Sequence, residues 1–155
     1  MALVVEALRN QSVEDLVSQY NLALWRSERY PQLISLKYRQ HESRLGDSMV
    51  QQCRGMIIDT SADYAVVARP FDKFFNLGEP NASKVDCNTC RIYEKEDGTL
   101  CFLYFYSPEG AKPRGRNGWH IGTTGCGDAS GNIRKGASHF NKDENEQVMS
   151  FADLF

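Results

Sequence analysis

CRGMIIDTSADYAVVAR, residues 53–69, is the stretch on which the fold turns. Two apolar runs rich in β-branched residues, CRGMIID and YAVVAR, are joined by the polar link TSAD. Such side chains suit a pleated surface, and a short polar link between two such runs predicts a pair of strands. Pro70 ends the second run because proline fixes φ and donates no hydrogen bond.

Downstream, FDKFFNLGEP carries two adjacent aromatics and closes on Gly78 and Pro80. In RIYEKEDGTLCFLYFYS (91–107), Asp97-Gly98 lies between two strand-like runs. Both residues tolerate positive φ, so the pattern predicts a hairpin. SPEGAKPRGRNG (107–118) reads as a basic loop rich in Gly and Pro, and WHIGTTG (119–125) as a further short strand. The tail SHFNKDENEQVMSFADLF has helical spacing, with Val148, Phe151, Ala152 and Phe155 on one face. Upstream, Ser12 followed by Asp15 predicts a helix N-terminus, with Val13, Leu16, Val17, Tyr20 and Leu24 on one face. RSERYPQLISLKYRQHESRLGDSM reads as less regular. The fold class is therefore α+β, mainly antiparallel strands with an N-terminal helix, and the chain contains no internal repeat.

The 155 residues suffice for one domain with a core. With 41% hydrophobic and 25% charged residues, the composition excludes a disordered polyampholyte. A net charge of -2 excludes a global field for nucleic acid, so any such partner must be held by local basic groups. No apolar run is long enough to span a membrane, and MALVVEALRNQSVEDL lacks the pattern of a signal peptide. Five irregularly spaced cysteines suit a reduced, intracellular protein, cytoplasmic or nuclear, better than a disulfide framework. Cys87-x-x-Cys90 has neither a second pair nor a histidine at ligand spacing, so no metal ligands are assigned.

Arg54, Lys73 and Lys95 each sit at the edge of an apolar segment. One such residue is most simply a cation reaching out to solvent. Three so close together suit a shared polyanion, because burying a cation is costly unless an anion meets it. A nucleoside triphosphate fits: arginine grips phosphate oxygens with a planar fork, and lysine supplies a compact charge. The turn at Asp97-Gly98 needs no lysine two residues earlier, and a deprotonated Lys95 would be a nucleophile able to attack phosphorus.

KEDGTL (95–100) resembles the K-x-D-G nucleophile motif of covalent nucleotidyltransferases: ATP-dependent DNA ligases, RNA ligases and capping guanylyltransferases. CRGMIID, then ARPFDKFFNLGE (68–79), then YEKEDGTL (93–100), in this order and spacing, resembles the RNA ligases of the bacteriophage T4 RNA ligase 1 type. The resemblance extends over residues 36–125. It implies the ligase-type sheet, ATP and Mg²⁺ as cofactors, and RNA 5′-phosphate and 3′-hydroxyl ends as partners. It also implies Lys95 as the catalytic residue that takes AMP and passes it to the RNA 5′-phosphate before the ends are sealed. Arg54 and Lys73 are implied on the ATP phosphates and Tyr38 near the nucleotide. Glu94, Asp97 and Gly98 complete the nucleotide-binding candidates around the motif. Asn76 and Glu79 match the pattern as positioning residues.

Thr124 stands where the family usually has a basic residue before the glycine, here Gly125, so a phosphate or RNA contact there is in doubt. The family's later motifs, an F-E glutamate, an E-G pair and a lysine-rich strand, are not found after Gly125. Residues 1–155 are thus expected to be the N-terminal portion of an adenylyltransferase domain that lacks its C-terminal half. The alternative is a non-catalytic module that binds nucleotide or RNA. In KPRGRNGWH, Lys112, Arg114 and Arg116 beside Trp119 and His120 form a basic and aromatic mix suited to single-stranded RNA.

Overall fold

The computed structural model of the protein describes residues 2–108, 118–130, 132–133 and 149–150. The chain opens with helix α1 (Leu3–Leu8) and helix α2 (Val13–Tyr20). Ser12 caps α2 as expected, its hydroxyl accepting from the Asp15 N–H at 3.1 Å and donating to the Asp15 carboxylate at 2.7 Å. The helix is shorter than its spacing predicts. Asn21 takes a left-handed conformation at φ 51° and ends it, a geometry asparagine tolerates. Leu24 consequently lies in strand β1 (Leu22–Arg26), not on the helix face.

The stretch read as less regular holds most of the missing sheet. It contributes strand β2 (Leu33–Tyr38), followed by the short helix α3 (Ser48–Gln52). The expected pair from 53–69 forms as β3 (Arg54–Asp59) and β4 (Ala65–Ala68), and the four strands pair antiparallel in the order β1-β2-β3-β4. Strand β2 is central and covered on both sides, with Leu33 through Leu36 all buried. A strand covered on both faces loses the apolar–polar alternation that announces a half-buried one.

Each face of the sheet has its own core. Ile34, Leu36, Met56 and Ile58 pack against Val4, Leu8, Leu16 and Val50 of the helices. Leu33, Ile57 and Ala68 on the other face pack against Tyr104 and Tyr106. Tyr104 belongs to a second antiparallel pair, β5 (Cys101–Phe105) with β6 (Trp119–Thr123), and Tyr106 directly follows β5. A third pair joins β7 (Asn132–Ile133) to β8 (Met149–Ser150).

Two expectations are corrected here. Residues 91–100 form no strand, so the hairpin at Asp97-Gly98 does not exist; β5 pairs instead with β6 across the basic loop. Strand β6 fits because Gly122 leaves room for Phe102, whose ring would come within 2.7 Å of any β-carbon there. Met149 and Ser150, inside the expected C-terminal helix, lie in a strand. The other residues of that helix, including Val148, Phe151, Ala152 and Phe155, lie outside the described residues. Among the described residues no helix is long and apolar enough to cross a membrane.

Candidate active site

The site begins with an irregularity in the central strands. Leu36 faces Met56 across the β2–β3 ladder, but Lys37 faces Arg54, so Gly55 is an extra residue on β3. Gly55 has φ 89°, and a β-carbon there would lie 2.7 Å from the Cα of Thr124. Only glycine meets both conditions without strain. The R-G pair of the sequence thus has a structural reason: the glycine admits the chain leaving β6 and sets Arg54 level with Lys37.

Arg54 then stands between two clefts. On one side its guanidinium donates to the Phe71 carbonyl at 3.3 Å and rests 5.1 Å from the centre of the Phe74 ring. The cleft there, about 540 Å³, is lined by Arg54, Phe71, Phe74, Lys95, Asp97 and Gly98. Lys95 donates to the Asp97 carboxylate. That hydrogen bond and the lysine's charge hold the Asp97 carboxyl below its usual range. Gly98, at φ 143°, supplies a backbone turn that other residues rarely adopt. On the other side of Arg54, a cleft of about 490 Å³ is lined by Lys37, Tyr38, Arg39, Arg54 and Thr124.

The structure therefore brings Lys95, Arg54, Asp97 and Gly98 together, with Tyr38 at the neighbouring cleft. Lys73 is elsewhere. Its ammonium donates to the Phe74 carbonyl at 2.8 Å and lies 4.4 Å from the centre of the Phe75 ring, in a smaller cleft of about 250 Å³. Phe74 borders both this cleft and that of Lys95, and so divides them. Glu94 is exposed and lines none of the three clefts. Asn76 and Glu79 bond to each other, the Asn76 amide donating to the glutamate at 2.7 Å, and shape the turn after Phe75. Trp119 is exposed and meets Phe105 edge-on at 5.7 Å on the outer face of the β5–β6 pair, away from Lys95's cleft. Lys112, Arg114 and Arg116 lie outside the described residues.

Sequence reasoning missed Lys37, Arg39 and Phe74. A signal for Lys37 existed: it ends the apolar run of β2 just as Arg54 begins that of β3. Cys87 and Cys90 are exposed, and the described residues contain no group of three His, Cys, Asp or Glu side chains that could hold a metal.

Residues 52–115 match the family of RNA ligases of the T4 type. A protein of Autographa californica nuclear polyhedrosis virus, which carries the name bifunctional polynucleotide kinase/RNA ligase, is 31% identical over 135 residues, 81% of this chain. The chain spans 18% of the length of that relative. No solved structure matches the chain.

Proposed function

The chain belongs to the RNA ligase family of the bacteriophage T4 RNA ligase 1 type, and we propose that residues 1–155 are the nucleophile-bearing N-terminal portion of an ATP-dependent adenylyltransferase domain. Its four-stranded sheet and the β5–β6 pair would be the front part of the ligase-type fold. The observation that carries this reading is the single cleft shared by Lys95 and Arg54, from segments 41 residues apart in sequence, with Asp97 bonded to the lysine.

The chemistry follows from those contacts. Lys95 must lose a proton to act as a nucleophile, and its exposed ammonium can give that proton to solvent while Asp97 orients the nitrogen. The Lys95 nitrogen then attacks the α-phosphorus of ATP. The N–P bond forms as the bond to the bridging oxygen of pyrophosphate breaks, leaving a lysyl-AMP phosphoramidate. Arg54, held by the Phe71 carbonyl and the Phe74 ring, is a cation fixed in advance beside the charge that grows on the phosphates. An oxygen of an RNA 5′-phosphate next displaces the lysine from AMP. The 3′-hydroxyl of the other end finally attacks that 5′-phosphorus and releases AMP as the strand is sealed.

Mg²⁺, when bound, would neutralise phosphate charge. The described residues offer no three-ligand cluster to hold it by themselves, and a magnesium ion that arrives on the phosphates of ATP needs none.

The test is covalent labelling with α-labelled ATP and Mg²⁺. The protein should take up label, and Lys95→Arg should abolish it without lowering the melting temperature, since a guanidinium stays protonated. Label that survives Lys95→Arg removes the reading.

A further inference from the structure

Lys37 is a half-buried lysine in the central strand β2, and among the described residues its ammonium has no carboxylate or carbonyl partner. The other two cations of its cleft are engaged. Arg39 lies 3.7 Å from the Glu42 carboxylate, and Arg54 donates to the Phe71 carbonyl. No carboxylate lines the cleft, and Thr124 brings no charge to it. The ammonium also lies beside the chain that follows β6: a β-carbon on Gly125 would stand 3.4 Å from Lys37 Nζ. A partly desolvated cation without a counter-charge is costly to keep. It is kept where an anion completes it.

We propose that Lys37 is a phosphate-binding residue, and that the cleft of Lys37, Arg39 and Arg54 takes a substrate phosphate on the far side of Arg54 from Lys95. The inference rests on the ligase reading for the identity of the phosphate, though not for the presence of an anion site. The chemistry recognised is a terminal or pyrophosphate-type group. Two sources carry it here: the β- and γ-phosphates of ATP, which must leave away from the attacking Lys95 nitrogen, and the 5′-phosphate of an RNA end. In either case Arg54, shared by both clefts, would bridge the phosphate to the reacting centre. Lys37 thereby gains a role that its neighbour Tyr38 cannot fill, since a neutral phenol supplies no compensating charge.

The experiment is calorimetric titration of the full chain and of Lys37→Met and Lys37→Arg with four probes. These are inorganic pyrophosphate, ATP, and one oligoribonucleotide with either a 5′-phosphate or a 5′-hydroxyl. Methionine keeps the apolar stem in the strand, so an unchanged thermal midpoint verifies the fold. Lys37→Met should weaken binding of at least one phosphate probe by about tenfold, the scale of one charge-assisted contact, and Lys37→Arg should restore most of it. A loss with pyrophosphate and ATP assigns the phosphate to the nucleotide. A loss confined to the 5′-phosphorylated RNA assigns it to the RNA end. Unchanged binding of every probe, or an equal loss for the 5′-hydroxyl RNA, overturns the proposal. Labelling of Lys95 is read separately. Its absence beside a Lys37 effect sinks the ligase reading and leaves the anion site, and its presence without a Lys37 effect sinks the anion site alone.

Discussion

The sheet of residues 22–68 and the segment 69–100 both carry candidate site residues, and they hold them in different ways. In the sheet, Ile34, Leu36, Met56, Ile57 and Ile58 are wholly buried, and the ladder fixes Lys37 opposite Arg54. In the segment there is no helix or strand, and Phe71, Leu77 and Ile92 are 70%, 85% and 92% exposed. Among its ties to the rest of the fold, the Lys73 N–H donates to the Gln51 carbonyl of α3 at 2.8 Å, and the Phe71 carbonyl accepts from Arg54 of β3. The cations proposed to hold phosphate are placed by a rigid framework, while the proposed nucleophile, Lys95, is placed by a local bond to Asp97. Binding groups on strands are held more closely than groups on irregular chain, which would suit a lysine that moves between ammonium, amine and phosphoramidate in the proposed reaction.

That contrast can be broken first by core truncation. Ile58→Ala should cost about 2–5 kcal/mol, because a wholly buried side chain leaves a cavity between sheet and helices. Ile92→Ala should stay within about 0.5 kcal/mol, as for an exposed site. Urea denaturation measures both, and equal costs would mean that the segment is packed as firmly as the sheet.

A smaller loss is expected at the bulge. Gly55→Ala adds a β-carbon against Thr124 at φ 89°, and should cost about 1–3 kcal/mol. It should also lower labelling by ATP, since Arg54 would lose its alignment with Lys37. A variant with normal stability and normal labelling would show that the bulge positions nothing.

Arg54 and Lys73 sharpen the comparison within the site. Arg54→Ala should reduce adenylylation by about tenfold or more, equivalent to about 1.4 kcal/mol. Lys73→Ala should reduce it less, because its ammonium already bonds to the Phe74 carbonyl and lies beyond Phe74 from Lys95. The reverse order, measured as initial labelling rates, would place the triphosphate in the Lys73 cleft.

The smallest effect concerns the joint between the two cores. Burial pushes the Asp59 carboxyl up, but hydrogen bonds from Ser61 and Tyr106 outweigh it and bring it below 3.8. The Tyr106 hydroxyl, which donates to Asp59 at 2.7 Å, is pushed up to about 12 by burial and by that carboxylate. The depressed carboxyl gives stability that is present above its unfolded value and is lost as pH falls through the folded one. The raised phenol gives stability that is present below 10 and is lost as pH rises through about 12. Tyr106→Phe should therefore cost about 1 kcal/mol near neutrality, and the difference from wild type should shrink toward both extremes. A difference independent of pH would remove the hydrogen bond from the account.

How far the sequence could be read varied with the range of the contacts. The pair β3–β4 and the Ser12 cap were legible, since each depends on residues close in sequence. Strands β1 and β2 were not, because Leu33 to Leu36 are buried on both sides and Lys37 and Arg39 break the apolar run. The hairpin at Asp97-Gly98 was misread for a related reason. A turn-competent pair is permissive, but β5 found a better partner in β6, where Gly122 accommodates Phe102. Of the candidate site, Lys95, Arg54, Asp97 and Gly98 were named from sequence and meet in one cleft, whereas Lys73 and Glu94 do not join them.

By itself the sequence determined the local features and the reactive chemistry: which segments are apolar and β-branched, where a helix starts, and which lysine could serve as nucleophile. Those properties reside in single side chains and their neighbours. Only the tertiary structure decided that Gly55 is a bulge, that it brings Arg54 level with Lys37, and that Phe74 separates Lys73 from Lys95. Each of these depends on strand register and on the chain leaving β6 across β3, and pairing between distant segments is settled by how both faces of the sheet are covered.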